Sequence, residues 1–203
     1  MTMMKTTRLR NALVAILSLA LGSLSLALGS AAALAANPPA APAKGAFQSD
    51  LIAQLDDVQK KILSLEDAVP QDKFTWRPAP GVRSIAEAYL HIAFGNYGLT
   101  KVATGKEPPA ELGWDFKTRD KWDTRTTDKA QIKATLEKAF AYARAAVQGM
   151  SDADLDKKVN FFGHEVSARF VLMALLGHDN EHLGQSIAYA RANKITPPWS
   201  KEK

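Results

Sequence analysis

Gly177-His-Asp-Asn-Glu-His-Leu-Gly-Gln185 lies inside a longer proline-free run, Val171 to Tyr189, whose apolar residues recur at three- and four-residue spacing. That period is helical. At about 100° per residue, His182 lies about 40° around the helix from His178 and one turn further on, so both imidazoles project from one strip. The same strip carries Val171, Leu175, Gln185 and Tyr189, which marks it as the core-facing one. Two imidazoles one turn apart can chelate one ion, each giving a nitrogen at about 2.0–2.1 Å in the case of zinc. The alternative is two histidines satisfied by hydrogen bonds at a partly wet helix edge. Against it, each buried polar ring left without a partner costs about 1–3 kcal/mol.

Ser167 is placed to cap this helix, which is expected to reach Ala192 and to end at Asn193 and Pro197. Before it, Val159 to Val166 with Gly163 in the middle reads as a short β-hairpin or an irregular loop. A helix is predicted from about Asp128 to Gln148, with Gly149 at its end. Another is predicted from Ser84 to about Thr104, where Ser84 and Glu87 have the spacing of a capping box. The first runs from Phe47 to about Ala68 on Leu51, Ile52, Leu55, Val58, Ile62 and Leu65, and Pro70 stops it. Residues 105–126, with Pro108 and Pro109, have the length of a crossover rather than a tight turn. Four long helices, each apolar on one face, and no strand series predict an all-α four-helix bundle over residues 47–203, with one long crossover.

The first 35 residues follow other rules. Lys5, Arg8 and Arg10 precede an apolar run from Ala12 to Leu28, and Ala33-Leu34-Ala35 supplies the small residues of a cleavage site. A signal peptide over 1–35 is expected, and with it secretion across the inner membrane to the periplasm and no stable membrane insertion after cleavage. A retained anchor is the alternative, because the run approaches the ~20 residues that span a bilayer. Residues 36–46, rich in proline and alanine, form a linker. Removing the signal takes away three basic residues and no acidic one, so the formal net charge falls from +5 to +2. The remaining basic residues are interleaved with acidic ones, so nucleic-acid binding is not expected. With no cysteine in the chain, disulfides, thiolate ligands and a cysteine nucleophile are excluded. Any metal must be held by nitrogen and oxygen.

A third ligand candidate is His91, in the middle of the second predicted helix. Gly95 and Gly98 follow it on the same side, either permitting close helix packing or leaving a hollow beside an ion. His164, in the predicted hairpin, reads as a surface residue. The H-x-x-E-H spacing is also that of inverzincin peptidases, with Glu181 as base. That reading needs a downstream carboxylate ligand, and Glu202 is the one acidic residue after His182. Glu87 is explained by the capping box, Glu181 lies beside the strip where it can orient a ligand imidazole, and Gln185 can hold bound water, substrate or a ligand.

The chain resembles the DinB/YfiT superfamily of metalloenzyme-like proteins. The resemblance lies in Phe74-Thr-Trp-Arg-Pro-Ala-Pro-Gly81 leading to His91, in Gly177 to Gln185, and in Pro197-Pro-Trp199. It implies a four-helix bundle in which His91, His178 and His182 bind one divalent ion, zinc, nickel or similar. Some relatives are thiol-dependent S-transferases or isomerases, whereas the signal peptide sets this chain apart from cytosolic members. Three neutral ligands leave the ion its charge and an open coordination position, the arrangement of a catalytic site. The leading expectation is therefore a metal-dependent enzyme that activates water or a thiol, hydrolase- or S-transferase-like, on an unidentified small-molecule substrate. The alternative is a non-catalytic periplasmic metal-binding or stress-response protein with a structural ion. A homodimer is compatible with either. Because imidazole binds metal only when neutral, release is expected as pH falls through about 6.

Overall fold

The computed structural model describes residues 45–201. The expected signal peptide, the linker up to residue 44, and Glu202 lie outside the described residues. Helix α1, Ala46–Ala68, buries Leu51, Leu55, Val58, Ile62 and Leu65. It stops at Val69, which is extended at φ −81° and ψ 122°. Pro70 follows, and its ring disfavours helical backbone in the residue before it. Helix α2, Ile85–Thr104, starts from a complete capping box: Ser84 Oγ accepts from the Glu87 N–H, and Glu87 Oε2 accepts from the Ser84 N–H. It ends at Gly105, whose left-handed φ of 71° suits a residue without a Cβ.

The crossover is more structured than its composition predicts. It contains single turns at Ala110–Leu112 and Phe116–Thr118 and a short helix, α3, Arg119–Asp123. Trp122, 4% exposed, pins it to the core, and Trp114 Nε1 donates to the Phe94 carbonyl of α2. Gly98 makes the close approach possible, because a Cβ there would crowd Trp114 and Phe116. Asp128 then caps α4, Lys129–Gln148, by accepting from the Gln131 N–H. A short helix α5, Asp152–Asp156, precedes the hairpin. Its strands β1, Lys158–Phe161, and β2, His164–Ser167, pair antiparallel with Phe161 opposite His164. The two-residue turn has positive φ at both Phe162 (50°) and Gly163 (91°), as a primed hairpin turn requires. Ser167 Oγ accepts from the Phe170 N–H and starts α6, Ala168–Ala192.

The four long helices α1, α2, α4 and α6 are those expected from the sequence. α2 packs on α4 and α6, and α1 packs on the same two, so α1 and α2 lie across a diagonal. Fifteen residues of α2 are buried, from Ile85 to Ala103, which makes it the most enclosed helix of the bundle. Ile62, Leu65, Leu90, Ile132, Leu136 and Leu172 are fully enclosed. Each such side chain contributes about 1.5–3 kcal/mol through removal of apolar surface from water. None of the described helices is long and apolar enough to cross a membrane.

Candidate metal centre

The period of α6 puts His178 and His182 on one strip, and the packing of α2 against α6 brings His91 to face them. A ligating nitrogen from each of the three lies within 4.8 Å of the others. Ring centroids are 5.2 Å apart for His91 and His178, 4.9 Å for His91 and His182, and 4.5 Å for His178 and His182. All three rings are largely enclosed, His182 being the most buried at 9% exposure.

Two of the rings are oriented by acceptors. His91 Nδ1 donates to Asp123 Oδ2 at 3.0 Å, and the same oxygen accepts from Arg83 Nε at 3.1 Å. His182 Nδ1 donates to Gln185 Oε1 at 2.8 Å, while Gln185 Nε2 donates to Tyr189 Oη at 2.9 Å. A carboxylate and an amide oxygen can only accept, so Nδ1 carries a proton in both rings and Nε2 is the nitrogen left to bind an ion. His178 Nδ1 is buried without a hydrogen-bond partner, 3.8 Å from Asp179 Oδ1. Asp179 itself accepts from Asn96 Nδ2, and burial pushes its carboxyl well above the usual carboxylate range. Gly95 packs directly against the His178 ring, and a methyl group in its place would overlap the imidazole.

Electrostatics favour ligand-ready rings. Burial, reinforced by the neighbouring His91, lowers the His178 imidazole to about 4, and burial lowers His182 to about 4 as well. Both are therefore neutral at pH 7, the form that binds a metal. Three convergent imidazoles, two of them already fixed through Nδ1, fit a divalent ion.

The cluster borders one pocket directly and a second through Asp123 and Gln185. One, of about 740 Å³, is lined by His91 and His178 together with Phe94, Leu99, Phe116 and Phe161. The other, of about 570 Å³, is polar and includes Arg77, Arg83, Arg119, Asp123 and Gln185.

The other candidates fall elsewhere. Glu87 is used by the capping box and by Arg77, whose Nη2 lies 2.7 Å from Glu87 Oε1. Glu181 is exposed and has no hydrogen bond to a ligand ring among the described residues; Asp123 and Gln185 do the orienting expected of it. His164 is exposed on β2, as its loop position suggests. Asp123, which orients His91, is the residue that the sequence reading misses. It belongs to a five-residue helix within the crossover, too short to show a periodic pattern.

The DinB superfamily sequence profile matches residues 54–186. Among solved structures, a DinB-like protein from Bacillus cereus superposes with a TM-score of 0.59 at 23% identity, covering 75% of this chain and 93% of its own. A DinB-like protein from Bacillus subtilis gives 0.57 at 17%, covering 72% and 93%. The mycothiol-dependent maleylpyruvate isomerase gives 0.55 at 14%, covering 67% of this chain and 59% of its own. No protein of curated function matches the chain. The structural likenesses establish a shared fold; the profile, covering more than half the chain and both histidine-bearing helices, establishes that this protein belongs to the DinB superfamily.

Proposed function

We propose that His91, His178 and His182 hold one divalent ion, zinc, nickel or similar, and that the protein is a metal-dependent enzyme acting on a small molecule. The convergence of three imidazoles next to an open pocket carries the reading. A purely structural site is normally closed by four protein ligands, whereas three leave a position for water or substrate. When bound, the ion would lower the pKa of a coordinated water or thiol and supply a nucleophile near neutral pH. The chain's own residues do the rest. Asp123 and Gln185 hold two rings in the required tautomer, Arg83 holds Asp123, and the apolar pocket wall limits access of water.

Between water and thiol, the fold shared with the mycothiol-dependent maleylpyruvate isomerase supports a thiol. The Lys5-to-Ala35 segment supports export to the periplasm, where a cytosolic thiol would be scarce; that favours water or an extracytoplasmic thiol. A second reading, a structural ion in a non-catalytic protein, draws support from the way the cluster ties α2, α6 and α3 together.

The test begins with the metal content of protein purified without a chelating tag, compared with His91→Ala. Metal is expected in the first and strongly reduced in the second; equal amounts would overturn the three-histidine assignment. Metal-loaded protein is then assayed with thiols and electrophiles. Turnover lost in His91→Ala supports the enzyme, while thermal stabilisation without turnover supports the structural ion.

A further inference from the structure

The 740 Å³ pocket has a chemistry more specific than metal binding requires. Its volume is that of a site for a small organic molecule. Apart from His91 and His178, the polar side chains lining it are Arg119 and Asn160, and no carboxylate lines it. Asn160 is uncharged, and its Oδ1 accepts from the Gly163 N–H at 3.0 Å. Arg119 is therefore the one charge that faces this pocket. Its guanidinium meets the adjacent Asp120 at 3.0 Å in an exposed pair, which a ligand can open at little cost.

The walls are aromatic and come from three separate elements. α2 gives Phe94, the crossover gives Phe116, and the hairpin gives Phe161 and Phe162. Phe116 meets Phe94 and Phe162 edge-on at centroid distances of 6.1 and 6.2 Å, so the rings form a continuous rim. Phe116 and Phe162 nonetheless remain 42% and 72% exposed, apolar surface that an occupant would cover. Phe162 also occupies left-handed backbone at φ 50°, a region that a bulky side chain rarely adopts. Asn or Gly would fit that turn position better, and strain of this kind tends to persist where it serves a site.

We propose that this pocket binds an apolar, ring-containing small molecule carrying a single anionic group. Its body lies among Phe94, Phe116, Phe161 and Phe162, its anion meets Arg119, and its other end faces His91 and His178. The inference rests on the preceding reading only in making this molecule the substrate; the binding itself does not need the ion.

Two fluorescent probes of nearly the same body separate the terms: 8-anilinonaphthalene-1-sulfonate, which is anionic, and N-phenyl-1-naphthylamine, which is neutral. Both are titrated into metal-free and zinc-loaded protein, and zinc binding by each variant is measured in parallel. Both probes are expected to bind at a single site. Ala174→Trp, which fills the pocket from α6, should weaken both at least about tenfold while zinc is retained. Arg119→Gln should weaken the sulfonate probe about three- to tenfold and leave the neutral one within about twofold. Phe162→Asn, at an exposed turn that tolerates asparagine, should weaken both about threefold without loss of fold. Undiminished probe binding in folded Ala174→Trp or in Phe162→Asn would overturn the pocket assignment, and an equal response of the two probes to Arg119→Gln would overturn the anion assignment. If the wild type binds both probes as expected but no zinc, the metal reading fails and this one stands.

Discussion

Asp123 acts through one carboxylate oxygen, which receives both His91 Nδ1 and Arg83 Nε, and Gln185 does the same work for His182 from within α6. Such partners fix the ligand's tautomer and typically account for 10–100-fold in metal affinity. Asp123→Ala and Gln185→Ala are each expected to weaken zinc binding by about that factor, measured by competition with a chromophoric chelator. A loss below about twofold would show that the rings hold themselves. The pH response combines two opposite signs. His178 and His182 are lowered to about 4, so between that value and the ordinary 6.5 the unfolded chain takes up protons that the folded protein refuses. Their contribution to stability is present above about 6.5 and is lost as pH falls through 4. The same burial should move metal release below the pH of about 6 expected for ordinary imidazole. Glu66 works the other way. Fully enclosed, with neither carboxyl oxygen bonded, it is raised to about 7 by burial, so its contribution is present at low pH and lost as pH rises through that value. Glu66→Gln is therefore expected to stabilise the protein at pH 8 by about 1–3 kcal/mol and to have little effect at pH 4, as read by urea unfolding.

Among the helices, the α2–α6 contact is the one that makes the site. Glycine inside a helix costs about 1 kcal/mol relative to alanine, and α2 accepts this at Gly95 because the His178 ring occupies the space of a side chain. Gly95→Ala regains that propensity but must displace the ring or spread the helices, an overpacking cost of about 1–3 kcal/mol. The net change in stability is expected to be small, about 0–2 kcal/mol, whereas zinc affinity should fall more than tenfold because His178 leaves the other two ligands. Thermal unfolding and zinc titration of the same variant check both halves. Unchanged zinc affinity would mean that the ring position is not set by this contact. The hairpin shows the same principle in milder form. Its turn holds Phe162 at positive φ, so Phe162→Asn should leave stability unchanged or raise it by up to about 1 kcal/mol.

For the whole molecule, an ion that binds only the folded bundle stabilises it by mass action, about 2.7 kcal/mol at a hundredfold excess over Kd. In a domain of this size each kcal/mol raises Tm by about 2–4 °C, so saturating zinc is expected to add roughly 5–10 °C. His178→Ala should abolish that shift; a shift preserved in the variant would place the ion elsewhere. The four long helices were legible in the chain, because apolar periodicity and local stop signals are properties of neighbouring residues: Pro70 ends α1, Ser84 with Glu87 starts α2, Ser167 starts α6. So was the histidine pair, since a spacing of four puts His178 and His182 on one strip whatever the helix packs against. That His91 faces that pair, that Asp123 rather than Glu181 orients one of the three rings, and that Gly95 makes room for the His178 ring all came from the packing of the bundle. These depend on which faces of α2 and α6 meet and on where a short helix in a long crossover comes to rest. Contacts between residues far apart in the chain follow from packing, and no local pattern carries them.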